Sequence, residues 1–114
     1  MMNLLLDTHL CRGDEMGEIE VGDHIVEWED NKAEINWKKH KIHFEDAALV
    51  FLDDNRIDEF DELHSDYEDR VKTIGLVDKI LEVIYTERSE KYRIISARYA
   101  TKKEESDYYG QFDS

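Results

Sequence analysis

Proline is absent from the chain, cysteine occurs once and glycine only five times in 114 residues. The missing proline excludes a proline-rich linker, and no repeat or low-complexity tract is present. The lone Cys11 excludes an internal disulfide framework and supplies no zinc-ligand spacing. No apolar run approaches the ~20 residues that a bilayer-spanning helix needs, so a membrane partner is not expected. The patch Leu4-Leu5-Leu6 has neither the basic flank nor the long apolar stretch of a secretory signal, which makes the cytoplasm the default compartment. Basic residues are also scarce, 15 Lys and Arg against 29 Asp and Glu, for a net charge of −14. Taken as an average, that balance argues against a polyanionic partner.

What is there contradicts the average, because the charge is segregated. Residues 1–30 carry −8 and residues 53–69 another −8, whereas 31–43 carry +3 and 71–103 carry +4. Acid therefore collects in an N-terminal arm and one central loop, and the segments with regular patterning are locally basic. Solvated acidic loops keep a small protein soluble. A basic island within them points instead to a cationic site.

The length fits a single domain with one modest core. Residues 1–22 show little periodicity and read as an arm, with Met16 as an alternative start; 23–110 form the domain and 111–114 a tail. A short strand is expected at His24–Glu29. A helix follows, with Asp30 as its cap and Ala33, Trp37 and His40 at helical spacing. On that helix Lys32, Asn36 and His40 stand at i, i+4 and i+8 and make one polar stripe, of the kind that is usually a solvated face. A second helix is expected over 44–52, where Phe44, Ala47, Ala48 and Phe51 follow the i, i+3, i+4, i+7 pattern after His43. Arg56–Phe60 is a weaker strand. Better strands are 70–76, 80–86 and 92–99, joined closely enough to be antiparallel neighbours. Thr101-x-x-Glu104 is a capping box that opens a last helix with Lys102 and Lys103 in its first turn. The aromatic residues Trp28, Trp37, Phe44 and Phe51 are expected in the core. The fold class is α+β: a small antiparallel sheet of about four strands, packed by two N-terminal helices and one C-terminal helix.

Arg98 ends one strand and Arg70 begins another. Two guanidinium groups brought by strands of one sheet suggest an anion site, with RNA phosphate as the first candidate. Asp53-Asp54-Asn55-Arg56-Ile57-Asp58 lacks the glycine and glutamate that a calcium loop requires, and no metal site is expected.

Trp28-Glu29-Asp30-Asn31-Lys32-Ala33, Asn36, Lys39-His40, Phe44-Glu45-Asp46-Ala47, Phe51-x-Asp53, Asp61-Glu62-x-His64-Ser65, Glu68-x-Arg70, Ile74-Gly75, Val83-Ile84-Tyr85-Thr86-Glu87-Arg88 and Arg93-Ile94-Ile95-Ser96-Ala97-Arg98 occur in that order. As an ordered set they resemble the BrnT family of type II toxins, from Ile25 to about Tyr109. The resemblance implies a RelE-like fold and a ribonuclease that arrests growth by cutting RNA without a metal or other cofactor. It also implies a BrnA-type antitoxin of the ribbon-helix-helix class, through which the complex would reach operator DNA. Three positions depart from the family's usual pattern: Lys41 where glycine is common, His43 where serine is common, and Tyr99 where lysine is common. Separately, Leu4–His9 resembles the opening of a metal-dependent PIN-domain nuclease. The rest of the chain follows a different plan.

Metal-free RNA cleavage needs a base for the 2′-hydroxyl, stabilisation of the phosphorane charge, and a proton for the leaving 5′-oxygen. Arg70 and Arg98 suit the second task. The acid and base candidates are His40, His64, Glu68 and Tyr85, with Tyr109 behind them. Lys39, Arg93, Lys102 and Lys103 are expected to contact RNA, although Arg93 is equally suited to an ion pair with Glu82 or Glu87. An alternative to the nuclease is a catalytically weak co-repressor of the same fold, which binds the antitoxin and does little else.

Overall fold

The computed structural model describes residues 15–61 and 69–113. Its strands are β1 (Met16–Val21), β2 (His24–Glu29), β3 (Ile57–Phe60), β4 (Val71–Val77), β5 (Lys79–Arg88) and β6 (Lys91–Tyr99). Its helices are α1 (Asp30–His40), the single turn α2 (Phe44–Ala47), which runs on into a 3-10 helix at Ala48–Leu52, and α3 (Lys102–Gly110). The protein is α+β, with one six-stranded sheet in the order β1-β2-β6-β5-β4-β3.

Two expectations change here. The sheet has six strands rather than about four, and it is not wholly antiparallel, because β2 pairs with β6 in parallel at Val26↔Tyr92 and Glu27↔Arg93. Of the two edge strands one was unanticipated and the other is the weaker strand expected at 56–60. Residues 16–21, read as part of the arm, form an edge strand on β2. There Gly17 lies beneath the indole of Trp28, where any Cβ would collide with the ring. The weak strand at 57–60 pairs with β4.

The parallel pair is short for a reason that also shapes the site. β2 passes without a loop into α1, so beyond Arg93 the outer edge of β6 faces a helix instead of a strand. An uncovered edge would leave N–H groups without partners. Asn36 supplies one: its Oδ1 accepts from the Ala97 N–H at 2.9 Å, and its Nδ2 donates to the Ile42 carbonyl at 3.0 Å. Asn36 is therefore buried, contrary to the solvated stripe expected of it, and Trp37 is 40 % exposed rather than in the core. A helix lying along a strand edge needs an amide there, not an apolar stripe.

One sheet face carries the main core. Val26, Phe44, Val50, Val83 and Ile94 are fully buried, and beside them Phe51 stacks on Tyr92 with Tyr85 edge-on to both. The helix expected over 44–52 tightens to 3-10 geometry after its first turn. Val50 then lies so close to β4 that only glycine fits at Gly75. The opposite face is partly covered by α3, through Tyr108 packed on Ile74 and Ile80. The Tyr108 hydroxyl donates to Asp53 Oδ2 at 2.6 Å, and the same oxygen accepts from Leu76 N–H at 2.8 Å. The capping box forms as expected: Thr101 Oγ1 accepts from Glu104 N–H at 3.1 Å while Glu104 Oε1 accepts from Thr101 N–H at 2.9 Å. Asp30, in contrast, is the first helical residue of α1, and its expected capping place falls to Glu29, whose side chain makes no cap bond.

Candidate functional site

The two arginines chosen for an anion site do not meet. β5 lies between β4 and β6, so the strands that carry them are not neighbours. Arg98 is paired with Glu82 on β5. Arg70 precedes Val71, whose partner is Tyr85, and the Thr86 hydroxyl donates to the adjacent Asp69 carbonyl at 2.7 Å. Glu82 and Thr86 are four residues apart, so the arginines are separated by about 13 Å along the strands alone.

Arg98 is held by carboxylates. Its Nη2 donates to Glu82 Oε2 at 2.7 Å, and its two terminal nitrogens form a fork onto both Glu104 oxygens at 3.1 Å. Nη1 also donates to the Tyr99 carbonyl at 3.0 Å. The two glutamates respond in opposite directions. Burial raises the pKa of Glu82; Arg98 opposes that rise, and the Glu104 charge adds to it. Burial acts in the same sense on Glu104, but the Arg98 bonds, the Thr101 N–H and the Lys72 charge outweigh it, and its pKa falls. The arginine thereby ties β5, β6 and the first turn of α3 together.

Arg93 belongs to a second ion pair, with Glu27 of the parallel strand β2 at 2.9 Å, in place of the expected Glu82 or Glu87. Tyr85 is in the aromatic core, 6 % exposed and away from solvent, and burial pushes its phenol up to about 12, which disfavours the phenolate a base would need. Lys102 and Lys103 are exposed on α3, and Lys103 bonds Asp107 at 3.0 Å. Tyr109 is exposed at the far end of that helix. His64 and Glu68 lie outside the described residues, as does Asp7.

The structure gathers a different set, only half of it anticipated. β6 carries a bulge: Ile84 pairs with Ser96 and Tyr85 with Ile94, which leaves Ile95 as the extra residue. Beside this bulge the polar stripe of α1 completes a groove of about 170 Å³, lined by Lys32, Ile35, Asn36, Lys39, His40, Ile95 and Ser96. None of the ion pairs among the described residues involves Lys32 or Lys39, whereas Lys38 on the outer side is paired with Glu34 at 3.3 Å. His40 closes the groove at the end of α1. Burial lowers its pKa, and the cations of Lys39 and Arg98 lower it further, so the imidazole is biased to the neutral, proton-accepting form near pH 7. Lys32 was expected only as part of a solvated stripe, and Ser96 not as a site residue at all. The i, i+4, i+8 spacing pointed to Lys32, but Ser96 is placed by a bulge that no local pattern announces.

A neutral imidazole flanked by lysines and a hydroxyl is suited to take a proton beside a bound phosphate. Residues 28–104 match the family described as ribonuclease toxin, BrnT, of type II toxin-antitoxin system. The chain belongs to the BrnT family. No individual curated protein matches it. As a BrnT-family chain it is a ribonuclease toxin of a type II system, with an antitoxin as partner. Among the described residues, no helix is long and apolar enough to cross a membrane. No three His, Cys, Asp or Glu side chains gather there as a metal-holding group.

Proposed function

We propose that this BrnT-family toxin is a metal-independent endoribonuclease of RelE-like fold, and that the groove between α1 and β6 is its RNA site. One observation carries the reading: His40, biased to its neutral form, stands in a basic groove on a chain that is otherwise strongly acidic. In the proposed reaction His40 takes the 2′-hydroxyl proton and the 2′-oxygen attacks the adjacent phosphorus. The bond to the 5′-oxygen then breaks and leaves a 2′,3′-cyclic phosphate. Lys32 and Lys39 hold the phosphate and stabilise the charge that builds on the phosphorane, while Arg98, held by Glu82 and Glu104, braces the end of β6 beside them. His64 and Glu68 are the candidates for the proton that the leaving 5′-oxygen requires, and Arg70 is a candidate for contacts to the flanking strand. Neutralisation by a BrnA-type antitoxin, repression of the shared operon through that antitoxin, and a cytoplasmic site of action complete the proposal.

The test is to induce the wild type and His40→Ala separately without antitoxin, following growth and RNA integrity, and to repeat cleavage in vitro with EDTA. Arrest and breakdown by the wild type alone, unaffected by EDTA, are expected. A folded wild type that neither arrests growth nor cuts RNA would replace the nuclease with the co-repressor, and loss of activity in EDTA would replace the metal-free mechanism.

A further inference from the structure

We propose that Trp37 and His43 form a subsite on which one unpaired RNA base stacks, next to the groove; this rests on the reading of that groove as the RNA site. The two rings lie parallel, with centroids 4.1 Å apart and planes 4° apart. Both residues are exposed, Trp37 by 40 %, whereas the chain's other tryptophan, Trp28, is 4 % exposed and packs edge-on against Phe44. The ring pair is built rather than incidental. Lys41 takes a left-handed conformation (φ 60°) that ends α1 and turns the chain back, with its N–H donating to the Trp37 carbonyl at 2.9 Å. Ile42 is buried and its carbonyl is gripped by Asn36, so the next residue, His43, is delivered to the indole from an anchored backbone.

The surroundings identify the occupant. Lys41 Nζ lies 5.5 Å from the centre of the Trp37 ring, and Lys39, two residues on from Trp37, lines the groove. A flat aromatic surface flanked by cations is how proteins hold single-stranded nucleic acid: the rings take a base and the cations follow the phosphates. His40 follows Trp37 by three residues and so adjoins it on the helix surface, which would put the phosphate next to a stacked base near the proposed base, His40. A protein partner of this acidic chain would more simply engage its carboxylate-rich surfaces.

The full-length protein is titrated with two uncleavable probes of equal length, a 2′-O-methyl RNA hexamer and its abasic counterpart, following tryptophan fluorescence. The hexamer should quench Trp37 and bind about tenfold more tightly than the abasic strand. Trp37→Leu should abolish that preference while both strands still bind through the lysines, and Trp37→Tyr should retain much of it. Equal binding of the two strands by the wild type would overturn the subsite and leave the groove as a phosphate site. If neither strand binds and the folded protein does not cut RNA, the RNA reading falls and the subsite with it. If the antitoxin quenches Trp37 and the hexamer does not, the rings are a protein contact and the proposal is wrong.

Discussion

Two cationic regions lie against the same end of β6, and they are electrostatic opposites. Around Arg98 every positive charge is met: Glu82 and Glu104 share its guanidinium, and Lys72 is 3.8 Å from Glu104. In the groove beside it, Lys32 and Lys39 form none of the ion pairs found among the described residues, and His40 is pushed toward neutrality. An arginine facing a cross-strand glutamate is what a small sheet uses to attach a helix. Lysines along a groove lined by no carboxylate concentrate positive potential there. On the proposed reading the arginine serves the architecture and the histidine and lysines the chemistry, and substitutions in each region test that division.

The largest effect should come from His40. Removing a general base costs about 10²- to 10⁴-fold in rate, so His40→Ala should lose at least about a hundredfold in RNA cleavage, with an unchanged urea midpoint. Because the His40 pKa lies below 6.5, wild-type activity should persist on the acid side past pH 6.5, and Lys39→Gln should move that limb upward. The linkage has the same origin. As pH falls through 6.5 the unfolded chain takes up the proton before the folded one, so this residue makes the fold less stable in acid. A His40→Ala protein that still cuts at the wild-type rate would dissolve the contrast between the regions.

Arg98→Ala should do the reverse. It leaves Glu82, whose side chain is 10 % exposed, without its cation. Losing a charged partner from a largely buried carboxylate costs several kcal/mol, discounted here because Arg98 is itself 32 % exposed. We expect about 2 kcal/mol by urea denaturation, part of it recovered in the Arg98→Met, Glu82→Gln double variant. If the double variant is stable but inactive, Arg98 acts on the substrate as well as on the fold.

Lys39→Gln should be milder. One phosphate contact to single-stranded RNA contributes about 0.7 to the slope of log affinity against log salt. The variant should bind an RNA oligomer several-fold more weakly, with the slope reduced by about that amount. Lys38→Gln, whose partner is Glu34, should change the slope much less.

How legible these regions were depended on whether their determinants are local. The Thr101 capping box, the meander 71–99 and the span of α1 rest on short-range signals, and the structure follows them closely. Register is long-range. Only the pairing Glu82↔Arg98, with Glu104 delivered by the capped helix, shows that Arg98 is neutralised, and only the inserted β5 shows that Arg70 is remote. β1 was obscured because its outward glutamates hid a period of two in which Ile19 and Val21 turn inward. Trp37 was misplaced because an apolar residue at helical spacing implies a buried stripe, whereas α1 covers a strand edge and buries Asn36. The polar stripe itself was visible. What it faced was not.

The smallest effect concerns the residue that joins the stacked rings to the end of α1. Lys41 occupies a left-handed position just past the helix, φ 60° and ψ 37°, where glycine avoids the steric cost borne by a side chain. Glycine is also what the family resemblance leads one to expect there. Lys41→Gly should therefore stabilise the protein by about 0.5–1 kcal/mol, seen as a raised urea midpoint at unchanged slope. It also removes the cation 5.5 Å from the Trp37 ring, so RNA affinity should fall slightly as stability rises. Opposite signs in the two measurements would mean that this chain retains a strained lysine for binding, which extends the cationic region from the groove to the rings. A variant that loses stability would mean that the contact between Lys41 and Trp37 outweighs the backbone strain, and Lys41 would then belong with Arg98 among the residues that hold the fold.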